Sequence, residues 1–131
     1  MYKLGRRSLE RADGVYPLMI ECVERMLSYG VLDVTVTQYG GVRTLDIQKS
    51  FVASGASKTL NSLHRIQAET GYGHAIDIVP LPVNWKNLQA FCMMGSLMFR
   101  AAGEMQLPLE WGGHWRWKDY PHFQLPRGFK G

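Results

Sequence analysis

The segment Gly73-His-Ala-Ile-Asp-Ile-Val79 constrains the fold most, because it reads as a β-strand with polar side chains set into an apolar run, and Pro80-Leu-Pro82 ends it. Successive side chains of a strand alternate between its faces. Ala75, Asp77 and Val79 therefore share one face, His74, Ile76 and Ile78 share the other, and Asp77 and His74 point apart. Val31 to Gln38 is rich in β-branched residues and alternates Val34 and Val36 with Thr35 and Thr37, a second strand that Gly40-Gly41 breaks. His122 to Leu125 reads as a third.

Between the strands the apolar period changes to that of helices. From Tyr16 to Tyr29, Leu18, Cys22 and Met26 run beside Met19, Val23 and Leu27, and Gly30 stands where a helix ends. Thr44 to Ala53 reads as a short helix with Asp46 in its first turn, followed by the Ser-rich loop Ser54 to Asn61. A long helix is expected from an Asn84 cap through Ala102, with Gly103 as its stop and Leu88, Phe91, Cys92, Met98 and Phe99 along its stripe. Interspersed helices and short strands without a repeated βαβ unit favour an α+β fold.

At 131 residues the chain has the size of one domain, so residues 1–131 are expected to form a single unit. No apolar run approaches the ~20 residues of a membrane span, and no apolar stretch follows the basic start, so neither membrane insertion nor a signal peptide is expected. Cys22 and Cys92, each in an apolar helical pattern, read as buried free thiols. The net charge of +4 suits a polyanionic partner. Scattered basic residues rank nucleic acid lowest among them.

Three side chains able to ligate a metal stand in the order His64, Asp77, His122, and Asp119 precedes the last by three positions. Two neutral imidazoles and a carboxylate leave the fourth position of a tetrahedral zinc ion open for water, and a free carboxylate nearby can take that water's proton. The chemistry indicated is metal-assisted hydrolysis.

Tyr39-Gly-Gly-Val-Arg-Thr-Leu-Asp-Ile-Gln48, Ser62-Leu-His64, Gly73-His-Ala-Ile-Asp77 and Trp111-Gly-Gly-His-Trp-Arg-Trp-Lys-Asp-Tyr-Pro-His-Phe-Gln-Leu125 together resemble the zinc peptidases of the D-alanyl-D-alanine carboxypeptidase and phage L-alanyl-D-glutamate endopeptidase family, over roughly residues 31 to 126. The resemblance implies a small antiparallel sheet carrying the metal site with helices packed on its back. It makes His64, Asp77 and His122 the ligands of one zinc ion per chain, Asp119 the general base, Arg43 a residue that meets substrate carboxylate or oxyanion charge, and Ser62 part of the site wall. The implied activity is that of a phage-type endolysin cutting the stem peptide of peptidoglycan at the L-alanyl-D-glutamate bond. Such an enzyme is expected to be a monomer, made in the host cytoplasm and released to the wall through a membrane pore. A D-Ala-D-Ala carboxypeptidase of the same fold and a catalytically silent zinc-stabilised wall-binding domain are the alternatives.

The sequence departs from the family pattern in two places. Thr70 occupies the commoner offset for the first ligand, so Arg65 to Tyr72 reads as a segment that loops out between His64 and Asp77, with His74 as the competing ligand. His114 stands where relatives often carry Asp. Of Trp111, Trp115 and Trp117, part is expected in the core and one or more on the cleft wall.

Overall fold

Alternation along the central strand separates the core-facing Ile76 and Ile78 from Asp77, the one partly exposed residue of that strand. The computed structural model describes residues 1–131. In chain order its elements are α1 (Arg6–Arg11), α2 (Pro17–Ser28), β1 (Val34–Val36), α3 (Leu45–Ser54), β2 (Ile66–Gln67), β3 (Tyr72–Gly73), β4 (Ala75–Pro80), α4 (Leu88–Met105), β5 (Glu110–Trp111) and β6 (His122–Gln124). Four strands form an antiparallel sheet in the order β1-β4-β6-β5, and β2 and β3 form a separate two-stranded ribbon. This is the α+β arrangement expected from the sequence.

Register decides what each face carries. Ile76 pairs with Phe123, which pairs with Trp111, and Ile78 pairs with Val36. These five side chains are buried in one core with Met19, Cys22, Val23, Met26 and Leu27 of α2 and Phe91, Met94 and Met98 of α4. On the other face Asp77 pairs with His122, and Gln124 pairs with Glu110. A four-residue polar row thus lies across three strands, backed by the hydrophobic core.

The helices follow their local signals with instructive exceptions. Thr44 caps α3 by accepting a hydrogen bond from the Ile47 N–H at 3.2 Å, and Gly55 ends it with φ of 83°. The long helix starts three residues later than expected. Asn87 is its cap, accepting from the Ala90 N–H at 3.2 Å, while Asn84 holds a preceding turn by accepting from the Lys86 N–H. Gly103 does not stop it, and α4 runs on to Met105, ending at Gln106 in the left-handed conformation. The buried face of α4 is Phe91, Met94, Gly95, Met98, Ala101 and Ala102, a regular three-and-four spacing that places Cys92 on the exposed side, contrary to expectation. Cys22 is buried, and burial pushes its thiol up to about 12, so it packs as an inert apolar group.

Arg65 to Tyr72 leaves the main sheet as the β2–β3 ribbon, which returns the chain to β4 directly after His64. The strand expected over Val31 to Gln38 is paired only at Val34–Val36. The short α1 lacks an apolar stripe, yet its Ser8 is buried against Thr35 at 3.0 Å.

Candidate active site

Two of the three proposed ligands face each other because of sheet register. Asp77 on β4 and His122 on β6 are direct cross-strand partners on the polar face, where opposed Cβ atoms approach within about 4.5–5.5 Å. His64 arrives from the turn after Ser62, whose hydroxyl accepts the His64 N–H at 3.1 Å. The turn is tied on both sides, since Arg43 N–H donates to the His64 carbonyl at 2.9 Å and His74 N–H donates to the Leu63 carbonyl at 2.8 Å. Gly40 and Gly41 make that packing possible: a Cβ on Gly40 would overlap the Asp77 carbonyl, and one on Gly41 would overlap the backbone of Arg11.

The outer hydrogen bonds fix which ring nitrogens are free. His64 Nδ1 lies 3.0 Å from the Gly41 carbonyl, which can only accept, so Nδ1 carries the proton and Nε2 presents a lone pair. His122 Nε2 lies 2.8 Å from Gln124 Oε1, and the Gln124 amide is oriented by donating from Nε2 to Glu110 Oε1 at 2.9 Å. His122 Nδ1 is therefore the free nitrogen. Arg43 Nη2 holds Asp77 Oδ2 at 3.3 Å, leaving Oδ1 to face the imidazoles.

Three lone-pair atoms thus converge: His64 Nε2 and His122 Nδ1 are 3.2 Å apart, and Asp77 Oδ1 lies 3.3 Å from the first and 3.0 Å from the second. Neutral imidazoles held in these tautomers place no proton between the three atoms, and such a set is favourable only around a cation. A tetrahedral ion with bonds of about 2.0–2.1 Å separates its ligand atoms by roughly 3.3–3.4 Å, close to what is found. The donor set of two imidazoles and one carboxylate, with tautomers fixed by outer partners, suits zinc. The residues fit the ion that the sequence implies.

Electrostatics agree with that fit. Burial opposes ionisation of Asp77, but His64 and then His122 outweigh it and hold the carboxyl well below the usual carboxylate range. Burial opposes protonation of His122, yet the adjacent Asp77 carboxylate raises its pKa. Asp119 lines the same cleft: its carbonyl accepts the His122 N–H at 3.2 Å, while its carboxylate makes no hydrogen bond to the three side chains. It is solvent-accessible, and partial desolvation followed by the Asp77 charge pushes its carboxyl up against the pull of His122, His64 and Arg43.

The cleft encloses about 250 Å³, and Ser62, Arg43 and Trp115 line it with the acidic and imidazole groups. Arg43 is pinned, donating from Nε to the Tyr39 carbonyl at 2.9 Å and from Nη1 to Gln48 Oε1 at 3.3 Å, with Phe51 beneath it at 4.4 Å. Trp115 is the tryptophan on the cleft wall, its ring 5.2 Å from that of His122. Trp111 is core, and Trp117 is 74% exposed. His74 stays on the far face of β4, fully buried, with Nε2 2.6 Å from Thr70 Oγ1 and Nδ1 unpartnered. His114 stacks on Phe99 at 5.2 Å outside the cleft. Sequence reasoning missed Gln124, Glu110 and Arg127; the His122-Phe-Gln124 alternation offered a signal for the first, and nothing local marked the others.

The model of a family described as phage L-alanyl-D-glutamate peptidase matches residues 1–129. Among solved structures, the chain is similar to an L-Ala D-Glu endopeptidase of Serratia marcescens, with 34% sequence identity, coverage of 95% of this chain and 90% of that one, and a TM-score of 0.80. No curated protein matches it.

Proposed function

The chain belongs to the phage L-alanyl-D-glutamate peptidase family and is a peptidoglycan endopeptidase; from that premise we propose that it works as a single zinc-dependent catalytic domain, cutting the stem peptide between L-alanine and D-glutamate. The observation that carries the zinc reading is the convergence of His64 Nε2, Asp77 Oδ1 and His122 Nδ1 in a cleft that also holds an uncommitted carboxylate, Asp119. Bound there, zinc would act as a Lewis acid and lower the pKa of a water molecule toward ~7.

The protein's own groups do the rest. Asp119 accepts the proton of the attacking water and returns it to the leaving amine, a role suited to a carboxylate near the metal but outside its ligand set. Arg43 holds Asp77 in place through Oδ2 and lines the cleft, where a guanidinium offers donors to developing oxyanion charge. Ser62 walls the cleft and fixes the His64 backbone. Synthesis in the host cytoplasm and action on the wall after release through a membrane pore is the setting this reading implies, and no helix is long and apolar enough to cross a membrane.

Mass spectrometry of purified peptidoglycan after digestion tests the bond. The expected products are peptides beginning with D-glutamate and glycan strands that keep a single L-alanine. Release of terminal D-alanine with the L-alanyl-D-glutamate bond intact would replace this reading with the carboxypeptidase one.

A further inference from the structure

The turn that follows β6 brings a second guanidinium to the cleft. In Pro126-Arg127-Gly128-Phe129 the Phe129 N–H donates to the Pro126 carbonyl at 3.1 Å, and Gly128 takes φ of 85°, the left-handed value required at the third position of a type II turn. Phe129 anchors the turn, its ring edge-on to Tyr16 at 5.3 Å and 5.7 Å from the buried His74. Arg127 is thus displayed at the second position of a pinned turn, and it lines the cleft with Gln124, Ser62 and the three converging residues.

The two arginines differ in what they have left to offer. Arg43 already serves Tyr39, Gln48 and Asp77. Arg127 makes one hydrogen bond, from Nη2 to the Asn61 carbonyl at 3.1 Å, and pairs with no carboxylate of the protein, so most of its five N–H donors are free. Its tether runs to the loop just before Ser62, which orients it without using it up.

In stem peptides D-glutamate is joined onward through its γ-carboxyl, so its α-carboxylate stays free on the carbon that carries the scissile nitrogen. Cleavage at L-alanyl-D-glutamate therefore places a substrate carboxylate beside the leaving amine, in a cleft that already holds Asp77 and Asp119. Like charges there are unfavourable unless a cation meets the newcomer. We propose that Arg127 binds the α-carboxylate of D-glutamate on the leaving-group side and so makes the enzyme selective for D-glutamate over its α-amide, D-isoglutamine. The proposal rests on the endopeptidase reading above.

Steady-state cleavage of two synthetic substrates tests it: N-acetylmuramyl-L-Ala-γ-D-Glu-meso-diaminopimelate and its twin carrying D-isoglutamine. Wild type is expected to favour the acid over the amide by about 10- to 100-fold in kcat/KM, the scale of a charge-assisted paired hydrogen bond. Arg127→Ala should lose that factor on the acid, mainly through KM, change little on the amide, and keep the same zinc content. Arg127→Lys, which keeps charge but not paired donors, should fall between. An equal loss on both substrates, or a wild type indifferent to amidation, would overturn the assignment while leaving the endopeptidase reading intact. A wild type that cleaves neither substrate would remove both.

Discussion

Asp119→Ala is expected to lower hydrolysis by on the order of 10²–10⁴-fold, the usual contribution of a positioned proton-transfer group, with the metal still bound and the fold intact. Asp119 lines the cleft but lies outside the converging set, so its loss removes no ligand. Its carboxyl is exposed enough that truncation opens no core cavity. Because the carboxylate must be ionised to accept a proton, wild-type activity should fall on the acid side as Asp119 becomes protonated, and the variant should lack that limb. Metal content and turnover measured on one preparation decide the matter. Near-normal turnover would remove Asp119 from the chemistry, and loss of metal would make it a ligand.

His64→Ala should lose both the metal and activity, a larger effect than the ~10–100-fold in affinity that follows removal of an outer partner of a ligand. It would leave Asp77 with one imidazole and empty a position that is 2% exposed. His74→Ala should behave in the opposite way. Its ring contacts Tyr16, Phe129 and Thr70 behind the sheet, so the expected result is retained zinc and a stability loss of about 1–3 kcal/mol, read as a lowered Tm. The reverse pattern, with zinc lost from His74→Ala and kept by His64→Ala, would mean that the β2–β3 ribbon had been misread and that the ligand lies on the other face of β4.

What could be read from the chain was what depends on local period. Two-residue alternation in Ala75–Pro80 was enough to turn Asp77 and His74 to opposite faces, and three-and-four spacing was enough to place α2 and the middle of α4. Boundaries failed where two residues of one type competed, as with Asn84 and Asn87 for the cap of α4. Two-residue strands such as Glu110–Trp111 are too short to show a period, and α1 buries only Ser8, so neither left an apolar signature. The candidate ligands were legible because the short motifs that carry them, Ser62-Leu-His64, Gly73-His-Ala-Ile-Asp77 and Asp119-Tyr-Pro-His122, follow a family pattern even where the spacing between the first two departs from it. The support around them was not: Glu110 meets Gln124 only through the register of β5 on β6, and Arg127 reaches the cleft only because Phe129 packs beside Tyr16 and His74. Such contacts are properties of the assembled sheet and tail rather than of any stretch of sequence.

On the proposed mechanism the His64–Asp77–His122 group holds the one metal ion on which hydrolysis depends. Protein stripped of metal by a chelator and titrated with zinc tests it most directly, with wall hydrolysis followed at each addition. The rate should start at background, rise in proportion to added zinc and stop rising at one equivalent per chain, and His64→Ala should show no such break. Full hydrolysis by the metal-free protein would contradict the account.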